Sequence, residues 1–417
     1  MREPIYKSRP VAPNAATYGG ERINDFIVMS EGFSNCYLIE TAQGNIQLNA
    51  GMALEAPVHK ANFDSFSSGN VSHLILTQGH VDHVGGVGYF RGQHPGLEVI
   101  AQAGNTEHQE YDSRLQAFRG GRSAFAFTEK FAKAIEYYQA QGYTDYPEQD
   151  APLPDVLFES RHEINLGGLT LELIAVPGAE TNDSLIVWLP QHKICFTGNL
   201  FGCPFGHFPN LVTIRGDRYR DALTVAAAVQ TVLDLGAETI VYGHHQPVVG
   251  KDLIQAELTA LRDAILYVHD ETVAGMNAGK DVHTLMAEIS LPSELEVGQG
   301  YGKVSWSVRA IWEHYAGWFK HASTTELYAV PQQSVHADLI TLAGGCDAIV
   351  ERAASRYSAG DCEEALHLLD IVRSQQPAHP GAALLSLQVH RALRSGSDNF
   401  WLNAWLDNQS RELEALT

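Results

Sequence analysis

Short apolar runs separated by glycine and asparagine turns dominate the first hundred residues. Phe26-Ile27-Val28-Met29, Asn35-Cys36-Tyr37-Leu38-Ile39-Glu40, Ile46-Gln47-Leu48-Asn49, His73-Leu74-Ile75-Leu76 and Val99-Ile100-Ala101 each have the length and composition of a strand. Gly85-Gly86 suits a tight entry into a helix, and the polar, aromatic stretch from Glu107 to Tyr146 reads as helical, interrupted at Arg119-Gly120-Gly121-Arg122. A second β-rich half follows, with strands over 169–175, 184–189, 193–196 and 239–242 and a helix near Asp217–Leu235. Two β-rich halves, each followed by helices, imply an α/β architecture of two facing sheets with helices outside. From about residue 252 the pattern turns helical; Ala353–Arg373 and Ala382–Arg394 carry apolar residues every three or four positions, with Pro377 and Pro380 between them. Such hairpins bury their stripes internally or against a second subunit.

With 417 residues, a main domain plus a smaller one is expected. The 28 Lys+Arg against 49 Asp+Glu give a formal charge of −21, which opposes phosphate-backbone binding and argues against a nucleic-acid partner. An anionic small substrate is still compatible, because one local cation can dominate a closed pocket. No apolar stretch approaches the roughly 18 residues that span a bilayer, and the first residues lack a signal-peptide core, so no membrane association and a cytoplasmic location are the expectations. The five cysteines, at 36, 195, 203, 346 and 362, lack metal-ribbon spacing and read as free thiols.

The densest chemistry lies in Thr77-Gln78-Gly79-His80-Val81-Asp82-His83-Val84-Gly85-Gly86, directly after the apolar run 74–76. His80, Asp82 and His83 put imidazole nitrogen and carboxylate oxygen at the end of a buried strand, where α/β proteins keep their sites. Short motif matches also arise on surface turns. Further stations support the metal reading: Pro177-Gly178-Ala179-Glu180 after a strand, Thr197-Gly198-Asn199 after another, and Gly243-His244-His245 after a third. His245 reads as a supporting rather than ligating histidine.

The loop resembles the H-x-H-x-D-H signature of the metallo-β-lactamase superfamily, with Gln78 where the first histidine belongs. Glu180 after Pro-Gly, and Asn210-Leu211-Val212-Thr213-Ile214-Arg215-Gly216, look like the type III alkylsulfatase branch. The resemblance continues through 267–272, 302–307, 310–318 and the Ala359-Gly360-Asp361 hairpin, covering roughly residues 25 to 415. It implies an αββα sandwich over 1–250, a helical extension over 251–336 completing the catalytic unit, and an all-helical dimerisation domain over 337–417. It also implies a metal set of Gln78, His80, Asp82, His83, Glu180, Asn199 and His244, holding one or two Zn2+, or Mn2+ or Fe2+. The catalytic groups would be Asp82 with Asn210 and Arg215, the last two gripping a sulfate, since a guanidinium fork matches a tetrahedral oxyanion.

Four positions depart from that pattern. Gln78 offers a neutral amide, Asn199 replaces a bridging carboxylate, Asn49 stands where an aspartate usually supports the loop, and Val304-Ser305-Trp306-Ser307 lacks a pocket histidine. Asp82, His83 and His244 therefore form the stronger position, and His80, Glu180 and Gln78 the weaker. The segment Gly202-Cys203-Pro204-Phe205-Gly206-His207-Phe208 offers Cys203 or His207 as a replacement ligand or acid, or simply a pocket wall. The expected function is a homodimeric metal-dependent hydrolase of a sulfate or similar anionic ester. The alternatives are a hydrolase or lyase for a lactone, thioester or other ester, and a degenerate metal-binding scaffold.

Overall fold

The first sheet of the structure, a computed structural model describing residues 3–417, comprises seven strands in sequence order. They are β1 Glu21–Arg22, β2 Ile27–Ser30, β3 Cys36–Thr41, β4 Gly44–Leu48, β5 Val71–Ile75, β6 Glu98–Gln102 and β7 Val156–Phe158. β1 to β4 pair antiparallel and β4 to β7 parallel. The second sheet contains β8 Arg161–Leu166, β9 Leu169–Ala175, β10 Leu185–Leu189, β11 Ile194–Gly198, β12 Thr239–Tyr242 and β13 Val248–Val249, in the order β13-β12-β11-β10-β9-β8.

Period-two alternation decides which side chains meet. Ile27, Met29, Ile39, Ile46 and Ile75 of the first sheet pack with Leu171, Leu173, Val187, Leu189 and Phe196 of the second, forming the layer between sheets. Their strand neighbours Val28, Leu38 and Leu74 face the other way, onto Phe63, Val84 and Phe90 of the helical layer beside the first sheet. Ile186, Trp188 and Ile240 likewise face helices Ala222–Leu235 and Lys251–Asn277 through Val225, Val229, Leu258 and Ile265. The result is four layers, αββα, in which central strands such as β2, β10 and β11 bury both faces while the edge strands stay partly exposed. Full burial of one such aliphatic side chain contributes about 1.5–3 kcal/mol, and a charge at Val187 would break the central layer.

Helices Lys251–Asn277 and Val304–Ala316 bury Leu261, Val268, Val308 and Ile311 in the same cluster as the second sheet, and the first compact unit accordingly ends at Tyr315. The second unit, Ala316–Thr417, contains helices His336–Ala343, Cys346–Ala359, Cys362–Gln375, Pro380–Ser395 and Phe400–Glu414. Ile349, Ala353, Ala365, Leu369, Val372 and Leu385 form its core. Gly360, at φ 93°, makes the left-handed cap between two of these helices. Among the described residues, no helix is long and apolar enough to cross a membrane.

Two local expectations are corrected. The helical stretch breaks at Leu115, between Asn105–Arg114 and Gln116–Ala140, and runs unbroken through Gly120-Gly121. The flanking arginines hold it there: Arg119 bonds Asp217, and Arg122 donates to the carbonyls of Arg215 and Ile214 at 2.6 and 2.8 Å. The later helix starts at Ala222, where the Asp221 side chain accepts from Thr224 N, so Asp217 lies outside it.

Candidate metal centre

The loop 77–84 is fixed from three sides. Asn49, just past β4, adopts φ 60°, a left-handed conformation that asparagine tolerates better than most residues. Its Oδ1 accepts from both the backbone N and the Oγ1 of Thr77, each at 3.0 Å. The Thr77 carbonyl accepts from Leu185 N, and the His83 carbonyl from Ala50 N. Gly86 is required by close approach: a Cβ there would lie 2.3 Å from the Ala50 carbonyl oxygen.

His83 is fully buried, with Nδ1 3.1 Å from Ser34 Oγ and 3.4 Å from Thr77 Oγ1. Those hydroxyls orient the ring and leave Nε2 without a hydrogen-bond partner, 3.7 Å from Asp82 Oδ2. His244 follows β12 and Gly243, where a Cβ would meet Asn199 Oδ1 at 1.9 Å, so only glycine lets the two turns approach. Its Nδ1 is likewise buried and unpartnered, and its ring meets His83 edge-on at 6.2 Å.

Ligand atoms of Asp82, His83 and His244 all lie within 4.8 Å of one another, the one such group of three among the described residues. Burial pushes His83 and His244 down to about 3, so both are neutral nitrogen donors near pH 7. Burial raises Asp82, opposed by His244 and Arg215. Two imidazoles and one carboxylate fit a divalent ion such as zinc with one position left open.

The other half of the expected set is differently arranged. Gln78 Nε2 meets His80 Nδ1 at 2.8 Å, and His80 Nε2 faces Asp217 Oδ2 at 3.7 Å. Glu180 Oε1 pairs with Arg220 Nη2 at 3.0 Å, while Arg220 also donates to the carbonyls of Glu180 and Asn210. Burial pushes Glu180 up to about 7 against the pull of Arg220. Burial would also raise Asp217, but His80, Arg220 and Arg119 together hold it well below the usual carboxylate range. Asn199 Oδ1 is buried with no hydrogen-bond partner.

A cavity of about 430 Å3 opens onto both halves. His80, Asp82, Glu180, Asn199, Arg215 and His244 line its polar end; Gln78, His83 and Asn210 are not part of the lining. The apolar wall comes from Phe33 and from helix Gln116–Ala140 through Ala124, Phe127 and Phe131. Cys203 and Tyr301 also line the cavity, and burial keeps the Cys203 thiol protonated. His207 turns away, its Nδ1 accepting from Gly300 N at 2.9 Å. His245 stands 3.7 Å from Glu31, and Trp306 lies beside Lys303, neither on the cavity wall. Nothing local in the sequence marks Asp217, Arg119 and Arg220 as site residues: charged residues in turns and helices carry no sign of burial.

Comparison with known proteins agrees with this fold. Residues 29–244 match the metallo-beta-lactamase superfamily, and residues 282–415 match a region described as alkyl sulfatase dimerisation. A linear primary-alkylsulfatase from a Pseudomonas species is 26% identical over 345 residues, covering 79% of this chain and 65% of that protein. An (R)-specific secondary-alkylsulfatase of Pseudomonas is 25% identical, covering 80% of this chain and 52% of its own length. The chain thus spans between half and two thirds of the length of these relatives. The solved structure of the stereoselective inverting sec-alkylsulfatase Pisa1 from Pseudomonas superposes with a TM-score of 0.82 at 21% identity, over 96% of this chain and 66% of that one.

Proposed function

This chain belongs to the metallo-beta-lactamase superfamily, and from that premise we propose that it is a metal-dependent hydrolase of alkylsulfatase type. The observation that carries the reading is the convergence of Asp82, His83 and His244 at the polar end of a cavity that also holds Arg215 and an aromatic wall. A divalent ion bound by those three, zinc by donor chemistry, supplies Lewis acidity and a water activated near neutral pH. The chain's own residues do the rest. Ser34 and Thr77 hold the His83 ring so that Nε2 is presented. Arg215 offers a forked cation to the oxyanion of a sulfate ester, with Asn210 assigned to support that grip. Phe33, Phe127 and Phe131 receive the organic part of the substrate and exclude water, which strengthens each polar contact at the reacting end. Residues 337–415 pair two copies in a homodimer, a reading supported by the matched dimerisation region.

A second reading, hydrolysis of a lactone, thioester or other ester, draws support from Gln78 and Asn199 in place of stronger donors. Turnover of alkyl sulfates against lactones and thioesters separates the two. Sulfate release that falls in Arg215→Ala supports the first; hydrolysis confined to the other esters, or an unchanged rate in Arg215→Ala, rejects it.

A further inference from the structure

The half of the site around His80 does not fit a second metal ion. A dication is stable in a buried position when it faces carboxylates and lone pairs without other counter-charge. Here the counter-charge is already present. Arg119 Nη2 lies 3.0 Å from Asp217 Oδ2, and Arg119 also pairs with Asp112, so one guanidinium sits between two carboxylates. Arg220 pairs with Glu180 at 3.0 Å, both side chains nearly inaccessible. Tyr111 Oη adds a hydrogen bond to Asp217 at 3.3 Å.

His80 is engaged at Nδ1 by Gln78, while its Nε2 faces Asp217 at 3.7 Å without a hydrogen-bond partner. With a carboxylate 3.7 Å from Nε2, the neutral ring is best arranged with its proton on that nitrogen. Nδ1 is then the acceptor for the Gln78 amide at 2.8 Å, the role in which glutamine supplies a donor that a ligating histidine would not. A second ion would have to displace two guanidinium pairs and turn the His80 ring, and its added positive charge would stand beside Arg119, Arg215 and Arg220. By contrast, ligand atoms of Asp82, His83 and His244 lie within 4.8 Å of one another, and no such group of three forms around His80 among the described residues.

We infer that this protein is a one-metal member of its superfamily in which Arg119, clamped by Asp112 and Asp217, is a built-in cation replacing the second ion. The inference rests on the hydrolase reading only for the identity of the first position. Gln78 and Asn199 then fit together: a position that holds an internal guanidinium needs neither a third imidazole nor a bridging carboxylate.

The test is metal content by mass spectrometry after incubation with excess Zn2+ and gel filtration, together with electron paramagnetic resonance of the Mn2+-loaded chain. The expected result is one ion per chain, retained in His80→Ala and Glu180→Gln and lost in Asp82→Ala, with an uncoupled Mn2+ signal. Two ions per chain, an exchange-coupled Mn2+ pair, or loss of the single ion in a folded His80→Ala would overturn it. Wild-type stoichiometry decides the matter even if a variant fails to fold. Two ions with sulfate ester turnover would overturn this inference alone; one ion without any turnover would overturn the hydrolase reading alone.

Discussion

Arg215 is the side chain whose removal separates recognition from metal chemistry. It lines the cavity close enough to Asp82 and Glu180 to favour their charged forms, yet it is not among the metal donors. Arg215→Ala should lower kcat/KM for an alkyl sulfate by about 10²–10³, the range for losing one oxyanion donor, with metal content unchanged. Loss of metal in that variant would show that the arginine supports the ion rather than the substrate. Asn49 acts earlier, on the shape of the loop. Alanine there would forfeit two buried hydrogen bonds from Thr77 and retain the left-handed backbone, a combined cost of about 2–4 kcal/mol. Asn49→Asp keeps the acceptor and should stay close to the parent. Thermal unfolding of the two variants checks this, and equal loss in both would mean that the amide nitrogen, not Oδ1, matters.

Helix Gln116–Ala140 shows what element-level reasoning can and cannot extract from a sequence. A glycine pair ordinarily signals a break, at about 1 kcal/mol per residue relative to alanine. The break is absent because Arg119 and Arg122 are tied to Asp217 and to the 214–215 backbone, contacts between residues nearly a hundred positions apart. Gly121 is exposed with open space around its Cβ position and no positive φ, so Gly121→Ala should stabilise the chain by about 0.5–1 kcal/mol, read in urea unfolding. Destabilisation would mean that the helix needs the glycine's freedom. The strands were legible for the opposite reason: an apolar run such as Ile27-Val28-Met29 is local, and the sandwich buries its alternate residues in two different layers. Likewise Asp82, His83 and His244 stood out because each follows a strand. The partners of His80 and Glu180 did not, since Asp217 and Arg220 resemble any charged residues before a helix.

At the scale of the whole chain, assembly and acidity each make a prediction. In the helical unit Trp318, Tyr328, Leu342 and Leu384 are exposed, apolar area of the kind a partner covers, so light scattering should give twice the 45.7 kDa chain mass. A monomer at micromolar concentration would reject the dimer. The metal-free chain should also have a bounded pH range of stability, and the signs can be worked out. Burial lowers His59, His83 and His244 to about 3 from 6.5, so between those values the unfolded chain binds more protons and stability falls as pH falls. Burial raises Glu55 to about 8 and Glu180 to about 7 from 4.5, so there the folded chain binds more protons and stability falls as pH rises. The two sets oppose each other between 4.5 and 6.5. Below 4.5 only the histidine effect continues, and Asp217, held low by its cationic neighbours, adds loss in the same direction. Above 6.5 only the glutamates act. The melting temperature of chelator-treated protein should therefore be highest between about pH 4.5 and 6.5 and decline on both sides. Adding Zn2+ should raise the melting temperature across this whole range, because His83 and His244, lowered to about 3, stay unprotonated until the pH nears that value. A zinc-dependent gain that disappears between pH 7 and pH 4.5 would mean that groups other than those two histidines control the ion.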